Sequence, residues 1–218
     1  MISALLFDLD GTLIDTAPDF AEVLNGMRRR RELPDIPFAD IHATVSDGAR
    51  ALVELGFDLS EGEEGFEALR QELLDHYLKS LSVHSRLYPG MDDVLSWAES
   101  REIPWGVVTN KPSLYAEPLL RDLELDARCA SLICPDHVKQ RKPHPEPILL
   151  ACARIGVDAR SAVYVGDHRR DIEAGKNAGC TTIACRYGYV HDSDPAESWG
   201  ADYTVDKANE LTALLETL

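Results

Sequence analysis

From about residue 83 onward, short apolar runs alternate with stretches of helical periodicity, and that alternation leaves few architectures open. Ile103-Pro104-Trp105-Gly106-Val107-Val108, Ala130-Ser131-Leu132-Ile133-Cys134, Ala162-Val163-Tyr164-Val165 and Thr181-Thr182-Ile183-Ala184 read as strands. Their apolar character is continuous rather than alternating, which implies burial on both faces, as in a parallel sheet flanked by helices. Between them, Ile148, Leu149, Cys152 and Ile155 recur at helical spacing, and Gly156 supplies the stop. A second helix is predicted near 169–178, ended by Gly179. With a first strand at 3–8, the pattern predicts a doubly wound α/β sheet.

Residues from about 16 to 82 break this rhythm. Phe20, Val23, Leu24 and Met27 mark one amphipathic helix, and Phe66, Leu69, Leu73, Tyr77 and Leu81 mark another. A shorter helix begins near Asp47 and carries Leu52 and Val53. No strand-like run interrupts them. The expected organisation is a core of residues 1–15 and 83–218, with residues 16–82 inserted as a small helical subdomain.

Ligands of an open α/β sheet bind beyond the carboxyl ends of its strands, and four polar clusters fall at such ends. They are Asp8/Asp10, Thr109-Asn110-Lys111, Arg141-Lys142-Pro143 and Gly166-Asp167. The inserted helices leave the sheet at the same rim, as a lid would. The first cluster, Asp8-Leu9-Asp10-Gly11-Thr12, follows the run Ala4-Leu5-Leu6-Phe7 directly. Two carboxylates two residues apart on a strand point the same way, and like charges so close need a cation or a shared proton.

Each cluster permits a definite chemistry. Asp8 is the candidate nucleophile, because a carboxylate can attack phosphorus and form an aspartyl-phosphate. Asp10 is the candidate general acid, then base. Gly11 frees the backbone to aim N–H groups at a phosphoryl oxygen, and Thr109 and Asn110 offer further donors. Lys142, with Arg141 as a rival, could neutralise the nucleophile–phosphate pair. Asp167, with Asp8 and a backbone carbonyl of Asp10, would make an oxygen-rich site suited to Mg²⁺. Asp171, one helical turn on, could hold a metal-bound water or the catalytic loop, or simply cap a helix.

Charge and composition narrow the partners. A net charge of −16 argues against nucleic acid or an anionic membrane as the main partner. The same field would repel a phosphate ester, so local cations must reverse its sign at the site. No apolar run approaches the length of a membrane span, and Met1-Ile2-Ser3 leads straight into the first strand, so a cytoplasmic location is expected. Five cysteines without a CxxC pair disfavour a disulfide framework or zinc cage, and core packing is expected of them. The run Arg28-Arg29-Arg30-Arg31 reads as a solvated helix end.

Taken together and in order, DLDGT at 8–12, TN at 109–110, KP at 142–143 and GDHRRD at 166–171 resemble the haloacid dehalogenase superfamily. The resemblance implies a Rossmann-like core with a helical cap inserted after the first motif. It also implies Mg²⁺-dependent phosphoryl transfer through Asp8 with Asp10 as acid and base. Dehalogenase members usually place a non-acidic residue two positions after the nucleophile, so Asp10 points to a phosphatase or a mutase. The run Val108-Thr109-Asn110-Lys111-Pro112 is similar to the phosphoglycolate phosphatase branch. The runs at 132–137 and 187–191 are closer to relatives that dephosphorylate N-acetylmuramic acid 6-phosphate. His168-Arg169-Arg170 departs from the smaller or acidic residues more usual there. Ser46, Asp47, Gly48 and Arg50 fall where the family's cap faces its site, and Arg50 could grip a substrate carboxylate. The expected substrate is a small phosphorylated metabolite, with phosphoglycolate the first expectation from the resemblance and a phosphorylated amino sugar its rival. A sugar-phosphate mutase, a signalling receiver and a dehalogenase are the alternatives.

Overall fold

The computed structural model describes residues 2–218. Two compact units emerge, one comprising the chain up to Ile14 together with Leu87–Leu218, the other Asp15–Arg86. In chain order, β1 (Ala4–Phe7) is followed by β2 (Ile14–Asp15), α1 (Ala17–Arg29), α2 (Phe38–Thr44), α3 (Gly48–Phe57), α4 (Phe66–Leu78) and β3 (Arg86–Leu87). Then come α5 (Met91–Ser100), β4 (Trp105–Val108), α6 (Ser113–Asp122), β5 (Ser131–Ile133) and α7 (Glu146–Ile155). The chain ends with β6 (Ala162–Gly166), α8 (Arg169–Ala178), β7 (Thr181–Cys185), β8 (Tyr203–Val205) and α9 (Glu210–Leu215).

In the larger unit, six strands form one sheet in the order β5-β4-β1-β6-β7-β8, and every neighbouring pair is parallel. The doubly wound α/β fold expected from the apolar runs is therefore present. Its logic is burial on both faces: all four residues of β1 and of β4 are buried. On one face Leu6, Val108 and Tyr164 pack with Ile148 and Cys152 of α7 and Ala174 of α8. Helix α8 is amphipathic twice over, because Ile172 reaches a second cluster with Ala184, Ala196 and Trp199. The five cysteines are all free thiols, four of them buried.

The smaller unit is helical. Phe20 of α1 stacks on Tyr77 of α4 with ring centroids 3.8 Å apart. Leu24 of α1 lies so close to Gly56 of α3 that a Cβ there would come within 2.6 Å of it. Asp19 is a buried carboxylate, satisfied by the N–H groups of His84 and Ser85 and by the Ser85 hydroxyl. Arg29, Arg30 and Arg31 lie at the exposed end of α1, paired with Asp35, Glu22 and Glu72.

The sequence pattern did not single out α2, α5, α6, β8 and α9. Helix α2 buries only Ile41, α6 carries Pro118 in its interior, and β8 is three residues long. Such elements show too little apolar periodicity to announce themselves. Truncation of Leu6, fully buried at the centre of the sheet, is expected to lower unfolding free energy by about 2–5 kcal/mol in urea titration.

Candidate active site

Strand β1 has β4 and β5 on one side and β6, β7 and β8 on the other, so the connections leaving β1 and β6 run apart. Such a switch point opens a crevice at the carboxyl ends of the two strands. Phe7 pairs with Val165, and the ladder runs one bond further as the Asp8 N–H donates to the Val165 carbonyl at 2.9 Å. Asp8 and Asp167 are thereby set side by side just past the sheet. Strand β4 delivers Thr109, Asn110 and Lys111, the loop before α7 delivers Lys142, and the first turn of α8 delivers Asp171.

At the centre is a buried ammonium. Lys142 Nζ lies 2.9 Å from Asp8 Oδ1 and 2.7 Å from Asp171 Oδ1, and its side chain is fully buried. It also donates to the Val108 carbonyl at 2.8 Å and to the Tyr164 hydroxyl at 2.9 Å, and that hydroxyl donates to the same carbonyl. Burial alone would lower the Lys142 pKa, but Asp171 and Asp8 outweigh it and the value rises. The loop is fixed from outside as well, since the Asn110 amide donates to the Lys142 carbonyl at 3.1 Å.

Asp167 is fully buried and doubly held. The Thr12 hydroxyl donates to Oδ1 at 2.7 Å, and the Tyr189 N–H donates to Oδ2 at 2.9 Å. Close packing around it depends on glycine. A Cβ at Gly11, whose φ is +82°, would come within 2.1 Å of Asp167 Oδ2, and one at Gly188 within 2.3 Å of Asp167 Cβ. At Gly166 a Cβ would come within 2.3 Å of Asp171 Cβ. Asp171 serves two ends at once, as its Oδ2 accepts the His168 N–H at 3.0 Å and caps α8 while its Oδ1 meets Lys142.

Carboxyl oxygens of Asp8, Asp167 and Asp171 lie within 4.8 Å of one another. Burial pushes Asp167 up to about 8, with the charges of Asp8 and Asp171 adding to it. Burial likewise pushes Asp8 up to about 6, although Lys142 pulls the other way. With all three ionised, the Lys142 ammonium against three carboxylates leaves −2 on these four side chains, and the three acidic ones offer hard oxygen donors. That donor set fits one divalent cation of the kind that prefers oxygen.

Asp10 is not in this trio. The regular strand ends at Phe7 and the chain turns at Leu9, whose carbonyl accepts the N–H groups of Leu13 and Ile14. The alternation argument that aligned Asp8 with Asp10 therefore does not reach Asp10. Its Oδ1 instead accepts from Lys111 Nζ at 2.9 Å, in a pair largely shielded from solvent. Thr109 Oγ1 accepts the Lys111 N–H at 3.0 Å, which leaves its hydroxyl proton to donate elsewhere. Asn110, expected as a phosphate donor, gives its amide to the Lys142 loop. Arg141 is exposed. Arg50 belongs to the helical unit, where it pairs with Glu61 at 2.7 Å.

The sequence placed Lys111 in the cluster at 109–111 but gave it no role. Tyr164 read only as part of a strand, and Gly188-Tyr189 only as part of the run at 187–191.

The model of the haloacid dehalogenase-like hydrolases matches residues 5–185. The chain belongs to that family. It is 47 % identical over 99 % of its length, and 97 % of the relative's, to an N-acetylmuramic acid 6-phosphate phosphatase of Pseudomonas putida. It is 42 % identical over 95 % of its length, and 94 % of the relative's, to a phosphoglycolate phosphatase of Xanthomonas campestris. The crystal structure of a predicted phosphoglycolate phosphatase from Haemophilus somnus matches with a TM-score of 0.86 at 25 % identity, covering 98 % of each chain.

Asp167 titrates near 3.8 when unfolded and near 8 when folded, so its contribution to stability is full below about pH 4 and is lost as pH rises through 8. Asp8 adds a loss that begins near pH 4 and is complete as pH rises through 6. In chelator-treated protein, the Tm of the wild type should therefore fall relative to that of Asp167→Asn between about pH 5 and pH 8. Parallel melting curves across that range would contradict the assigned shifts.

Proposed function

We propose that the protein is a Mg²⁺-dependent phosphatase acting on a small phosphomonoester that also carries a carboxylate. The observation that carries this reading is the state of Asp8. Its Oδ1 accepts from the Leu9 N–H at 2.7 Å and from Lys142 at 2.9 Å, so both donors fall on one oxygen. Oδ2 is then the atom left to attack phosphorus.

In the first half-reaction, Asp8 Oδ2 forms a bond to phosphorus as the bond to the leaving oxygen breaks. Asp10 gives its proton to that oxygen. Lys142 stays against the nucleophile throughout and offsets charge gathering on the phosphoryl group. In the second, Asp10 takes a proton from the water that attacks the aspartyl-phosphate. Asp8, Asp167 and a carbonyl of Asp10 would hold Mg²⁺, with Asp171 beside them; when bound, the ion supplies the positive charge that admits a phosphate dianion among carboxylates. Thr109 offers its hydroxyl, and Gly11 its turn, to the phosphoryl oxygens.

Two named relatives act on acids, N-acetylmuramic acid 6-phosphate and phosphoglycolate, and a shared carboxylate is the chemistry those names have in common. The higher identity over nearly the whole chain favours the phosphorylated amino sugar, with phosphoglycolate second. Residues 16–82 act as the cap, and Arg50 is the cation suited to the substrate's carboxylate. Among the described residues no helix is long and apolar enough to cross a membrane, and the enzyme is proposed to work in the cytoplasm.

Asp8→Asn should form no phospho-enzyme and lose at least about 10³-fold in turnover, read by phosphate release and acid-quench trapping. Asp10→Asn given p-nitrophenyl phosphate should instead accumulate phospho-enzyme, because the leaving group departs without help while the water lacks its base. Free phosphate rather than an isomer should be the product from a panel of phosphorylated acids, and turnover should vanish with chelator. Added Mg²⁺ should raise the Tm, more at pH 8 than at pH 5, since the ion binds the ionised carboxylates. An equal rise at both pH values would count against the trio as its site.

A further inference from the structure

We propose that Lys111 is a positioning residue for proton delivery, holding the Asp10 carboxyl and taking up the negative charge left there once the proton has passed to the leaving oxygen. This inference rests on Asp10 being the general acid. Lys111 Nζ lies 2.9 Å from Asp10 Oδ1, and the two side chains are 7 % and 18 % exposed. The Arg50–Glu61 pair, by contrast, is 60 % and 51 % exposed. Withdrawal from solvent is what separates an ion pair that matters from one that water screens away.

The backbone keeps the ammonium in place. The Lys111 N–H donates to Thr109 Oγ1 at 3.0 Å, Pro112 follows, and the Ser113 N–H that opens α6 donates to Asp136 Oδ2 at 2.7 Å. The backbone that carries the side chain is thus anchored on both sides, by Thr109 before it and by Asp136 after it. Lys142 is committed to Asp8 and Asp171, so the two lysines divide the work, one on the nucleophile and one on the acid.

The step balances simply. Asp8 Oδ2 bonds to phosphorus, the phosphorus–oxygen bond to the leaving group breaks, the departing electron pair takes the Asp10 proton, and Asp10 ends as a carboxylate beside an ammonium. Lys111 stabilises that end state. Its help therefore counts most where the leaving oxygen cannot depart unprotonated, as in an alkyl phosphate, and least for p-nitrophenolate.

The test compares single-turnover phosphorylation of the full chain by an alkyl phosphomonoester and by p-nitrophenyl phosphate, at saturation, in wild type, Lys111→Met, Lys111→Arg, Asp10→Asn and the Asp10→Asn/Lys111→Met double variant. Lys111→Met should lose at least about tenfold more on the alkyl ester than on the aryl ester, Lys111→Arg should restore most of it, and Lys111→Met should add little loss to Asp10→Asn. Equal loss on both esters, loss confined to KM, or full additivity with Asp10→Asn overturns the inference. Should Lys111→Met fail to fold, Lys111→Gln carries the same comparison. Normal alkyl turnover by Asp10→Asn would instead defeat the reading of Asp10, whatever Lys111→Met shows.

Discussion

Removing one ammonium from water is expensive, and Lys142 is fully buried among groups that make its charge tolerable. Two carboxylates, a main-chain carbonyl and a phenol oxygen surround it. Remove the lysine and Asp8 and Asp171 face each other uncompensated; remove either aspartate and the lysine loses a partner it cannot replace. The rest of the site is organised around keeping that point fixed. Asn110 holds the lysine's backbone, Tyr164 its head, and the cap of α8 its second carboxylate. The residual negative charge then falls on Asp8 and Asp167.

Backbone geometry is as important here as charge. Gly11, Gly166 and Gly188 come from three separate segments, yet each is needed for the same reason, that a neighbouring aspartate fills the space a methyl group would occupy. A chain can crowd carboxylates only where its own backbone gives way. The parallel sheet supplies the remaining constraint, because its order reverses at β1 and leaves the crevice beside β6 open.

Much of this was legible beforehand, and what was not has physical causes. Continuous apolar runs announced the strands of the sheet core, since two-sided burial leaves a plain mark on sequence. The three-residue β8 and the Pro-bearing α6 left none. Asp8, Asp167 and Asp171 could be named because each follows a strand or opens a helix, and Lys142 because it precedes Pro143 in a loop. Their grouping could not be derived by local rules. The alternation of side chains along a strand suggested that Asp10 would share the direction of Asp8, and the turn at Leu9 removes the premise. The Lys111–Asp10 pair joins residues 101 positions apart, and no periodicity reports such a meeting. Tyr164 showed itself only as an aromatic in a buried strand, because its hydroxyl matters solely through a lysine contributed by another loop.

The short ribbon of Ile14–Asp15 with Arg86–Leu87 has an architectural consequence. Outgoing and returning chain run side by side there, so the six-stranded ladder is indifferent to how many residues lie between them. Loop-closure entropy is met by the ribbon itself, and the intervening segment can lengthen, shrink or be replaced without disturbing any strand register. Variation in the length of that insert is thus absorbed before it reaches the rim residues.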